Sequence, residues 1–140
     1  MLVRSLFTQV AALPGERSDY SIYLAAPDTV EGDTVDVQLV PAVRVDWDDE
    51  LKTIRLYPEL PDSDDDTIED VDSLMANMPL EEAVPQDARL QVQVPLVRTG
   101  PGYYHLDFVD VTEAVIGTAS KEIWLLTKAR SEFPPDELPT

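Results

Sequence analysis

The stretch Val35-Asp36-Val37-Gln38-Leu39-Val40-Pro41-Ala42-Val43-Arg44-Val45-Asp46-Trp47 puts Val35, Val37, Leu39, Val43, Val45 and Trp47 at odd positions. Most of the even positions are polar. A period of two marks an extended strand with one buried face. Pro41 falls inside the pattern. Proline has no N–H to give to a ladder, so it implies an edge strand, a bulge or a break into two strands.

The pattern extends in both directions. Asp48-Asp49-Glu50 reads as a polar turn, and residues 51–57 return as a strand with Ile54 and Leu56 inward, which makes a hairpin. Upstream, Tyr20, Ile22 and Leu24 share a face over residues 19–26. Downstream, Leu90, Val92, Val94 and Leu96 repeat the alternation. Thr99-Gly100-Pro101-Gly102 is a turn, and Tyr104, Leu106 and Phe108 form its partner strand. Residues 122–128 are apolar on both faces, as a central strand requires.

Two helices are expected. Thr67 can cap residues 68–78, where Ile68, Val71, Leu74, Met75 and Met78 make one apolar stripe, with Pro79 ending it. A short helix is read near Thr112 to Ile116, with Gly117 as its C-terminal cap. Leu2, Leu6, Val10 and Leu13 fit a helix over residues 1–13, and a strand remains open there. Ser5, Thr8 and Gln9 interrupt the apolar run, so the segment is read as part of the fold and not as a signal peptide. No internal repeat is apparent. The fold expected is mainly β: an antiparallel β-sandwich or partly open barrel with one or two short helices. The alternative is an α+β arrangement, a helix packed on an antiparallel sheet. Residues 1–130 are expected as a single compact domain with an acidic loop and helix inserted near 59–87. Residues 131–140, with Pro134, Pro135 and Pro139, are expected as a flexible Pro-rich acidic tail.

Charge is the unusual property. Ten basic and 28 acidic residues give a net charge of −18 over 140 residues. There is no Lys or Arg between Arg55 and Arg89, where Glu59, Asp62, Asp64, Asp65, Asp66, Glu69, Asp70, Asp72, Glu81, Glu82 and Asp87 accumulate. Such a chain is repelled by nucleic acid and by anionic membranes, so no direct contact with either is expected. The chain has no cysteine, which excludes disulfides, thiolate nucleophiles and thiolate-bound zinc. A cytoplasmic location follows as the default reading.

Asp62-Ser63-Asp64-Asp65-Asp66 starts with the carboxylate spacing of a calcium loop. Thr67 then stands where the turn glycine belongs, and Ser73 where the bidentate glutamate belongs. His105 is the sole histidine, and no nucleophile elbow or phosphate-cradling glycine loop accompanies it. Neither a metal, a cofactor nor a catalytic residue is expected. Asp62, Asp64, Asp65, Asp66, Glu69, Asp70 and Asp72 are read as a binding surface, with Tyr103 as an exposed aromatic anchor on a turn shoulder. Glu69 and Asp72 are expected on one outer face of the 68–78 helix. The function expected is a non-enzymatic acidic module that engages a basic protein surface. It would act as an inhibitor or adaptor, and a nucleic-acid-binding protein that it meets by mimicry is the sharpest version. The alternatives are a structural subunit of a larger assembly, with which homo-oligomerisation is compatible, and a carboxylate-metal enzyme centred on Asp62, Asp64 and Asp66.

Overall fold

The computed structural model describes residues 1–29, 35–59, 66–100 and 103–140, and for 28–29, 35–36, 94–100 and 103–107 the backbone alone. Among the described residues, eight strands form two four-stranded sheets. Strands β1 (Ser21–Thr29) and β2 (Val35–Val40) pair as an antiparallel hairpin. Pro41 then ends the run. The chain re-enters the second sheet as β3 (Ala42–Asp48), antiparallel to β4 (Thr53–Pro58). The alternating stretch is thus two strands in two sheets, with the proline at the corner where no ladder bond is needed.

The second half follows the same course. Strand β5 (Arg89–Gly100) pairs with β6 (Tyr103–Asp110) in the second sheet, and β7 (Glu113–Gly117) pairs with β8 (Glu122–Leu126) in the first. The strand orders are β2-β1-β8-β7 and β3-β4-β5-β6. The two inner contacts, β1 with β8 and β4 with β5, are parallel. The sandwich-like fold with short helices agrees with the pattern in the sequence. Its sheets, however, are mixed and not wholly antiparallel, because each sheet joins hairpins from distant parts of the chain.

Residues 112–116 correct the sequence reading: they enter strand β7, not a helix. Ala114 and Ile116 face the main core while Val115 faces the opposite side, so both faces are apolar and no alternation remains to be seen. The N-terminal ambiguity resolves as helix α1 (Val3–Ala11), which buries Val3, Leu6, Phe7 and Val10. Helix α2 spans Val71–Asn77, starting later than the stripe implies. Ile68 belongs to an isolated bridge with Ala42, and Asp70 caps the helix instead of Thr67. Residues 131–140 lie on the first sheet. Phe133 is buried there, and the Thr140 carbonyl accepts from the Ala119 and Ser120 N–H groups. The main core lies between the sheets. A second apolar cluster of Ala25, Val115, Trp124, Leu126 and Phe133 lies on the outside of the first sheet.

The two halves match in detail. Val3 N–H donates to the Ala88 carbonyl at 2.9 Å, and Val71 N–H, 68 residues on, donates to the Tyr20 carbonyl at 3.0 Å. Leu2 bridges Arg89, and Asp70 bridges Ser21. The Lys52 carbonyl accepts from Arg89 N–H and the Lys121 carbonyl from Ser21 N–H, both at 3.0 Å. Among the described residues, these two lysines are the non-glycine residues with positive φ, +50° and +57°, and each closes the turn before its strand. Parallel partners correspond as well: Ile22 with Ile123 against Leu90 with Ile54, and Leu24 with Leu125 against Val92 with Leu56. The chain therefore contains two structural repeats of helix and four strands, related by a shift of strand number by four.

Candidate binding surfaces

Of the acidic residues read as a binding surface, Asp62, Asp64 and Asp65 lie outside the described residues. Asp66, Glu69 and Asp72 are exposed, and none of them forms an ion pair with a described residue. Asp70 has a structural task. Its carboxylate accepts from Ser73 N–H at 2.7 Å while its own N–H donates to Ser73 Oγ at 3.2 Å, which closes a capping box. A cap of this kind contributes about 1 kcal/mol. Glu69 precedes the cap, so it shares no helical face with Asp72, and that expectation is corrected. Further along, Glu81, Glu82 and Asp87 are exposed. Glu81 stands 3.7 Å from Arg4, whose guanidinium also donates to the Val84 carbonyl. Tyr103 opens β6 opposite Gly100, and its side chain lies outside what is described.

A second surface was not singled out from the sequence. On the outer face of the second sheet, the Arg44 guanidinium lies 3.9 Å from the Tyr57 ring centre and that of Arg55 lies 4.2 Å from Phe108. The two rings meet edge to face at 5.6 Å. Contacts of this type, on a partly exposed face, contribute about 0.5–1 kcal/mol each. The signal was present: Arg44, Asp46 and Asp48 alternate with the inward Val45 and Trp47, and Arg55 and Tyr57 alternate with Ile54 and Leu56. Pairing this pattern across strands needs the register, in which Arg44 faces Tyr57 and Asp46 faces Arg55.

The same face opens into a cleft of about 470 Å³ lined by Asp46, Trp47, Asp48, Asp49, Glu50, Arg55 and Tyr57. Three of its four carboxylates are engaged at short range. Asp46 pairs with Arg44 at 3.1 Å, Asp48 accepts from the Glu50 and Leu51 N–H groups at 3.0 Å, and Asp49 meets Lys52 at 2.9 Å. The Lys52 hydrogen bond, then its charge, holds the Asp49 carboxyl below the usual carboxylate range, with a smaller contribution from Trp47. The cleft is thus a surface whose charges mostly satisfy one another. Among the described residues, no group of three or more His, Asp or Glu side chains is placed to hold a metal ion.

No described helix is long and apolar enough to cross a membrane. Compared with known proteins, the chain matches no family model, no curated protein and no solved structure.

Proposed function

We propose that this protein is a non-enzymatic binding module that engages a basic protein surface through the acidic stretch 59–87. One observation carries this reading: Asp66, Glu69, Asp72, Glu82 and Asp87 stand exposed and form no ion pair with a described residue. No Lys or Arg interrupts the chain between Arg55 and Arg89. Asp70 and Ser73 fix the start of α2, so Asp72 in its first turn is presented from an ordered element. Unpaired carboxylates on a fixed scaffold raise the rate of encounter with a cationic partner and set its orientation. The partner is a basic protein, a nucleic-acid-binding one in the sharpest version, with the module acting as its inhibitor or adaptor in the cytoplasm.

Capture from host lysate tests this with a variant carrying Asp66→Asn, Glu69→Gln, Asp72→Asn, Glu82→Gln and Asp87→Asn. The native chain is expected to retain a basic protein at about 0.1 M salt and lose it by about 1 M, as the screening length falls from about 10 Å to about 3 Å. The variant is expected to lose it already at the lower salt, with capture reduced about tenfold or more. Equal capture by both chains of every retained protein would contradict the reading.

A further inference from the structure

Neither repeat is a closed unit. The first gives β1 and β2 to one sheet and β3 and β4 to the other, and the second gives β7 and β8, then β5 and β6. A repeat taken alone is two separate hairpins with bare inner edges, and a lone hairpin is marginal in water. Each edge is closed by the other repeat: Ser21 to Ala25 run beside Glu122 to Leu126, and Thr53 to Leu56 beside Arg89 to Val92. The helix starts are exchanged in the same way, Val3 bonding to Ala88 and Val71 to Tyr20. The main core draws on both repeats, with Leu24 and Leu56 from the first and Val92 and Leu125 from the second.

The contact between repeats therefore has the form of a two-fold interface between two chains, with self-matching contacts on both sides. Nothing in its chemistry requires the repeats to be covalently joined. We propose that the repeat interface is a docking surface for a second copy of this chain: repeat one of one copy and repeat two of another build the same sandwich. This inference is independent of the acidic-surface reading, since it uses buried backbone edges and apolar side chains only.

Complementation between full-length chains tests it. Leu24 and Val92 are equivalent, 2% and 0% exposed, one in each repeat. Leu24→Asp spoils the first repeat and Val92→Asp the second, because a lone carboxylate cannot remain charged in an apolar core without a partner. Each variant alone is expected to show no cooperative unfolding transition. Refolded together from denaturant, they are expected to regain about half the native signal, one sound sandwich per two chains, at twice the mass of the monomer. A mixture of Leu24→Asp with Leu56→Asp, both in the first repeat, is expected to stay unfolded. If one aspartate leaves a chain folded, adding Ile22→Asp to the first variant and Leu90→Asp to the second removes the repeat. A cross-repeat mixture that stays unfolded would overturn the proposal, as would equal recovery in the same-repeat mixture.

Discussion

Leu56→Ala and its counterpart Leu125→Ala are each expected to destabilise the protein by about 2–5 kcal/mol. Both side chains are fully buried in the one core between the sheets. Leu56 sits on β4 beside Val92 of β5, and Leu125 sits on β8 beside Leu24 of β1. Truncation removes the transfer free energy of the lost carbons and leaves a cavity that two rigid sheets can only partly close. A domain of this kind holds about 5–15 kcal/mol in all, so either change consumes a large share. Urea titration followed by far-UV circular dichroism reads this as a lower midpoint at an unchanged slope. The structural equivalence makes the comparison sharper than either value: the two losses should be alike. A loss below about 1 kcal/mol at one site only would mean that the repeats do not share a core.

Phe133→Ala is the second large effect, expected at about 3 kcal/mol, the low end for a buried phenylalanine. The ring is 3% exposed and packs with Ala25, Val115, Trp124 and Leu126 on the outside of the first sheet. The Thr140 carbonyl holds the far end of the segment against Ala119 and Ser120. Without the ring, only Leu138 and the buried Pro139 remain as apolar contacts beside that end. Trp124, 5% exposed, would then be reached by water. The expected readout is a red shift and stronger quenching of tryptophan emission, together with faster cleavage within residues 131–140. Unchanged emission would show that Phe133 does not shield Trp124.

Strand character was legible in the sequence, but not which face each strand buries. The run from Val35 to Trp47 marks two strands and a corner at Pro41, yet its odd positions change sides there: Val45 and Trp47 pack on the main core, while Val37 packs on the outer cluster, Leu39 is exposed, and the even residues Val40 and Ala42 face the main core. The doubly apolar run near Ile123 to Leu126 marks a central strand. Residues decided by long-range pairing were not. Glu113 and Ala114 favour a helix and Gly117 suits its end, yet the β-branched Val115 and Ile116 and pairing with β8 make the segment a strand. Ile68 continues the stripe of α2 by spacing, yet bonds to Ala42 as a bridge. The repeat is faint in the sequence because identities such as Val3 with Val71, Ser5 with Ser73, and Leu6 with Leu74 are sparse. The spacing also changes, from 68 residues at the helices to 69 at Lys52 with Lys121, Ile54 with Ile123, and Leu56 with Leu125. What the repeats share is mainly a set of backbone bonds; in side-chain identity they leave two short matches, Val-x-Ser-Leu at the helices and Lys-x-Ile-x-Leu at β4 and β8.

The acidic stretch was legible as composition but not as roles. Asp70 and Asp72 are adjacent carboxylates in the same charge run, and only the structure separates a helix cap from an exposed charge. The Arg44, Tyr57, Phe108 and Arg55 ladder was hidden for the complementary reason: its members come from three strands, and register alone brings them together.

The two parallel contacts between repeats hold this fold together, and backbone nuclear Overhauser measurements on the native chain test them most directly. Parallel pairing places Ile22 beside Ile123 and Ile54 beside Leu90, with each register advancing in step to Leu24 with Leu125 and Leu56 with Val92. The expected result is amide and Hα contacts that advance in the same direction along both strands of each pair. Registers that run in opposite directions, with strong Hα–Hα contacts between β1 and β8 or between β4 and β5, would contradict the paired-repeat architecture.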